Sequence, residues 1–265
     1  MNINPCALVG LLLALSTADT LASQGRERRG PPTAVVERWG TYFTTESLPS
    51  LQDLKKGDNR LAATELVRSA AQAGELSLIY LYDSRADQRR LDAFEQTLFK
   101  QPKVIVGTRL FKCGRIDIAD DSHAIKTYGS STPSLTLFDK KGKLAGFVSM
   151  KGFHITPAKV ISAMRKTAKG YAKLTFDGWV RRYNKFLHEM NLMDFRKKAM
   201  AARRTRLEGR EEKRKKLQLR GIIQDEEKLE KEEQKLMDSE GKLLELAKVP
   251  ERDFSAQLVP PRRRR

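Results

Sequence analysis

The chain has 265 residues, a formal net charge of +18, 40% hydrophobic residues and two cysteines, Cys6 and Cys113. That length holds one or two domains, the charge favours anionic partners, and two thiols are too few for a disulfide-built scaffold. Apolar and β-branched residues concentrate before about residue 170, and Lys, Arg and Glu dominate from residue 195, so one globular domain followed by a charged helical extension is expected.

Ala7 to Ala18 is an apolar run of signal-peptide length, too short to span a bilayer comfortably. Residues 1–22 are predicted to be a signal peptide cleaved after Ala18 or Ala22, which implies export to the periplasm or the extracellular space. Residues 1–6 hold no Lys or Arg, so an uncleaved membrane anchor is the alternative. Cleavage would remove Cys6 and leave Cys113 as the one thiol. Residues 23–33 are polar with two Gly and two Pro, an exposed lead-in.

Ala34 to Phe43 is predicted to be an early strand or edge element. Leu61 to Ala73 has apolar residues at helical spacing, with Gly74 as a stop. Leu76 to Tyr82 is a near-continuous apolar run, the mark of a strand covered on both faces. The loop Asp83-Ser84-Arg85-Ala86-Asp87 then leads to Leu91, Phe94, Leu98 and Phe99 at helical spacing, with Asp83, Ser84 and Asp87 as candidate caps.

Val104 to Val106 continues the apolar pattern, and Cys113 to Ala119 is predicted to be the next strand. Asp120-Asp121 is placed to cap a short helix carrying Ala124, Ile125 and Tyr128. Thr132-Pro133 forms a tight corner. Leu135 to Phe138 and Leu144 to Val148 flank the turn Asp139 to Lys143, an antiparallel hairpin. A closing helix starts near Pro157 and turns Val160, Ile161 and Met164 inward.

This order, with Thr132-Pro133-Ser134 just before a strand, resembles the thioredoxin-like superfamily over residues 34–168, about half the chain. The resemblance implies an α/β fold, a three-layer sandwich, with a cis proline at position 133 beside the active-site loop. It also implies a Cys-x-x-Cys pair after the central strand. That loop here is Tyr82 to Asp87, with no cysteine, so this is a divergent member without the dithiol motif. A serine hydroxyl does not exchange disulfides at neutral pH, and no second thiol can resolve a mixed disulfide. No disulfide reductase or isomerase activity is expected. Extended chains dock at this place in the redox relatives. Asp83, Ser84, Arg85, Asp87, Thr132 and Pro133 are therefore the candidate binding surface, for a protein or peptide partner.

Cys113 reads as a small, half-buried hydrophobe or, near Lys112 and Arg115, as a lone redox or dimerising thiol. His123, His154 and His188 are scattered without the ligand spacing a metal needs, and no phosphate loop or nucleophile elbow is present. No catalytic residue, metal or cofactor is assigned.

Residues 169–194 carry apolar residues every three or four positions, from Leu174 and Trp179 to Met193, an amphipathic helix. Residues 195–248 are predicted to be a long charged helix or weak coiled coil. Its basic block, Arg196 to Arg220, has twelve Lys or Arg, and its acidic block, Asp225 to Glu240, has eight acids. Ile222, Leu229, Leu236 and Leu243 recur every seven residues, a thin seam for self-association through residues 222–243. Residues 249–265 read as a disordered basic tail ending in Arg262, Arg263, Arg264 and Arg265, a hook for an anionic polymer or lipid surface. The functional expectation is an exported, non-catalytic binding or scaffold protein of the cell envelope. The alternatives are a single-cysteine redox protein using Cys113, and an intracellular nucleic-acid-associated protein with a basic arm. Nucleic acid is disfavoured because no aromatics interleave with the basic residues.

Overall fold

A computed structural model describes residues 40–119, 121–128, 132–207, 212–251 and 257–258. The leader, the lead-in and Arg262 to Arg265 lie outside the described residues. The chain is mixed α/β. The elements run β1 (Tyr42–Thr45), α1 (Glu65–Gln72), β2 (Leu76–Tyr82), α2 (Gln88–Leu98), α3 (Pro102–Thr108), β3 (Phe111–Asp117) and α4 (Ser122–Tyr128). Then follow β4 (Ser134–Phe138), β5 (Leu144–Ser149), α5 (Pro157–Thr167), α6 (Phe176–Leu207), α7 (Glu212–Ala247) and β6 (Gln257–Leu258).

The sheet order is β5-β4-β2-β3-β1-β6, five strands extended by the two residues of β6. β2 sits at the centre because six of its seven residues are buried, so it needs cover on both faces and a neighbour on both edges. β3 runs parallel to β2, and β1 parallel to β3, while β4 and β5 are antiparallel. Alternation along β2 sorts two cores. Ile79 and Leu81 join Leu66, Val67, Ile116, Ala124 and Phe138 under α1 and α4. Leu78 and Tyr80 join Phe94, Val106, Leu135, Val160 and Met164 under α2, α3 and α5. The Tyr80 ring stacks on Phe94 at 5.5 Å.

Local signals set most element ends. α1 begins later than the apolar pattern suggests, at Glu65, because the Thr64 hydroxyl accepts from the Val67 amide and caps it there. Gly74 closes it at φ 68°. Asp121 caps α4 by accepting from the Ala124 amide at 2.8 Å. That bond, opposed by partial desolvation and helped by the Arg60 guanidinium paired with it, holds the Asp121 carboxyl below its ordinary range. Asp120 lies outside the described residues. The apolar run Val104 to Val106 forms the short helix α3, with Pro102 in its first turn.

α6 is one helix of 32 residues, continuing past the break in composition near residue 195. Trp179, Tyr183, Phe186, Leu187, Met190 and Met193 are buried on its inner side, and the Trp179 indole N–H donates to the Val106 carbonyl at 3.0 Å. Each buried aromatic of this kind contributes about 1.5–3 kcal/mol, so α6 belongs to the domain core. α7 returns antiparallel along α6. Arg196 pairs with Glu232 at 3.1 Å, Lys197 with Glu233, and Arg204 with Glu226 at 3.7 Å. The opposite charge blocks thus meet within one chain, and Leu229 of the heptad seam is buried there. Past α7, β6 pairs with β1, so residues 257–258 of the expected tail extend the sheet. Among the described residues no helix is long and apolar enough to cross a membrane.

Candidate functional site

Register decides which loops meet. Leu81 pairs with Ser134 and Tyr82 with Asp117, so the end of β2, the end of β3 and the start of β4 lie at the same end of the sheet. The loop Asp83 to Asp87 therefore stands beside the Thr132–Pro133 corner, whose peptide bond is cis. The Asp83 carboxylate accepts from the Arg85 amide at 2.9 Å, and Asp87 caps α2 by accepting from Arg89 at 2.9 Å. Asp117 accepts from the amides of Ser84 and Ala119, each at 3.0 Å, and so ties the loop to β3.

Exposure divides the six predicted residues. Ser84, Arg85 and Asp87 are exposed, Asp83 is half-buried, and Thr132 and Pro133 are buried. The corner thus shapes the site from beneath, and the loop supplies its accessible atoms. The neighbouring Ser134 is fully buried, and its hydroxyl has no hydrogen-bond partner among the described residues. The carboxylates of Asp83, Asp87 and Asp117 are engaged by backbone amides, so the loop presents a polar surface.

Cys113 lies elsewhere. It is four residues before Asp117 on β3, about 13 Å back along the strand. It lines a cavity of about 440 Å³ between β1, β3, α1 and the segment after α7, with Glu46, Arg109, Lys112, Pro250 and Glu251. The Sγ lies within hydrogen-bond reach of the carbonyls of Thr108 at 3.5 Å and Phe111 at 3.4 Å, with one proton to donate between them. Lys112 reaches Ser69 Oγ at 3.1 Å. Burial pushes the Glu46 carboxyl up, against the pull of a backbone hydrogen bond and of Lys112. Among the described residues no three His, Cys, Asp or Glu side chains converge as a metal site.

No family model matches this chain, and no curated protein matches it. Function is therefore argued from the two sites themselves. Asp117, Glu46, Arg109 and Glu251 carry no local signal of a role. They come from distant parts of the chain, and only the strand register and the returning C-terminal segment bring them to these places.

Proposed function

We propose that this chain is a thioredoxin-like binding module without thiol chemistry, docking an extended polypeptide at the Asp83–Asp87 loop. The strand order and the two helix layers support the family reading. The observation that carries the function is the register of Leu81 with Ser134, which sets the exposed loop beside the Pro133 corner. No cysteine stands in that loop, so docking there has no redox consequence. The apolar Ala7–Ala18 segment supports placing the protein at the cell envelope. The Cys113 thiol is half-buried and faces the carbonyls of Thr108 and Phe111, away from the Asp83 loop, which weighs against a redox role.

The test is amide chemical-shift mapping with an unfolded, carboxymethylated polypeptide as probe. Shifts at Ser84, Arg85 and Ser134 are expected, and Arg85→Glu should alter the affinity without changing the fold. Insulin reduction should stay at background. Shifts confined to other surfaces, or thiol turnover above a control, would overturn the reading.

A further inference from the structure

The outer side of α6 holds an exposed apolar pair and several exposed cations, of which Leu192 and Arg206 also border hollows toward α7. At 3.6 residues per turn, Arg181, Lys185, Leu192, Phe195, Lys198 and Arg206 fall on one arc of the helix. That arc points away from the buried Trp179, Tyr183 and Met193. Phe195 is 71% exposed and Leu192 47% exposed, one turn apart. Large apolar side chains left adjacent in water on a helix that buries its other face mark a surface with a use.

The cations of α6 sort into two sets. Arg196, Lys197 and Arg204 face α7 and are neutralised by Glu232, Glu233 and Glu226. On the outer arc, Arg181, Lys198 and Arg206 make no ion pair among the described residues, and Lys185 meets only the exposed Glu189 at 3.6 Å. Of the three carboxylates on α6, Asp177 falls on the arc but is paired with Arg165 of α5 at 2.9 Å, and Glu189 and Asp194 fall outside it by helical angle. The arc is thus an apolar pair set within uncompensated positive charge, along a helix of about 48 Å.

We propose that this arc is a lipid-facing surface: Arg181, Lys198 and Arg206 meet anionic headgroups, and Leu192 and Phe195 enter the acyl boundary. A helix lying in the interface plane binds through these two contributions, buried apolar area and attraction to anionic lipid. The hollow that Leu192 borders, with Glu189, Met193, Arg196, Glu232 and Leu236, does not take in Phe195, so it does not account for the exposed pair as a peptide groove. A nucleic acid would engage the cations but give Leu192 no dry environment. The apolar segment Ala7–Ala18 also fits a chain that meets a membrane. The surface is independent of the Asp83 loop, so its failure would leave the binding-module reading intact.

The test uses the full chain with vesicles of phosphatidylcholine, with and without phosphatidylglycerol, read by co-sedimentation at low and high salt. Binding should require the anionic lipid and weaken as salt rises. The double variant Leu192→Ser, Phe195→Ser should bind about tenfold or more weakly, from lost apolar burial. The triple variant Arg181→Glu, Lys198→Glu, Arg206→Glu should lose binding. These positions are exposed, and unchanged circular dichroism checks the fold. Phe195→Trp, read as a difference from the parent with its Trp39 and Trp179, should blue-shift and be quenched by brominated acyl chains. Parent-like binding by the serine pair overturns the proposal, as does an unquenched Phe195→Trp. Preference for single-stranded RNA over anionic vesicles in competition overturns it too.

Discussion

Glu240→Ala should undock the end of α7 and destabilise the whole domain. The Glu240 side chain is 7% exposed and lies 3.6 Å from the Arg109 guanidinium, itself 6% exposed. Its carboxylate also accepts the Tyr183 hydroxyl at 2.7 Å, and Arg109 sits 4.6 Å over the Tyr183 ring. Three segments, the turn before β3, α6 and α7, thus share one buried polar knot. Removing the carboxylate leaves the guanidinium charge in a low-dielectric site, which costs about 3–5 kcal/mol. The exposed pair Arg196–Glu232, with side chains 60% and 55% in solvent, sets the contrast, because breaking it should cost at most about 1 kcal/mol. Urea unfolding followed by circular dichroism measures both, with limited proteolysis reporting release of α7. The double variant Arg109→Met, Glu240→Leu removes both charges and should recover most of the loss. A Glu240→Ala penalty below about 1 kcal/mol, or a double variant no better than the single one, would show that the buried pair does not hold α7 in place.

Other predictions follow from the same packing. Gly107→Ala would set a Cβ 2.9 Å from Met164 Sδ and 3.0 Å from Phe176 Cζ. Overpacking should outweigh the better helix propensity and lower stability by about 1 kcal/mol or more; a raised melting temperature would contradict this. Glu46 has its folded-state pKa raised above the unfolded value by burial. Its favourable contribution is therefore present below about pH 4 and lost as pH rises through the folded value. Glu46→Gln should thus be more stable than the parent at neutral pH, and the two should converge in acid; a variant less stable at neutral pH refutes it. Cys113, half-buried and within hydrogen-bond reach of two backbone carbonyls, should alkylate more than about tenfold slower in the folded chain than in denaturant. Equal rates would show a reactive thiol and revive the redox reading.

The faces of the elements were legible in the order of residues alone. The unbroken apolar run of β2 required burial on both sides, Asp139 to Lys143 required a turn, and α6 showed its inner side through the spacing of Trp179, Tyr183 and Phe186. The missing thiol in the Asp83 loop was legible too, a matter of composition alone. These properties are local, because side-chain direction repeats with the period of helix or strand. Partners were decided only in three dimensions. Nothing in the acidic block distinguishes Glu240, which is buried, from Glu232, which is exposed. The difference arises because α7 returns along α6 and brings one of them over Arg109. The leucine seam could have met a second chain as well as its own, and α7 lays part of it, Leu229, against α6 of the same chain. Register likewise put Asp117 under the Ser84 amide and carried Cys113 away to another cavity. Contacts between distant segments depend on topology and loop closure, which no window of neighbouring residues encodes.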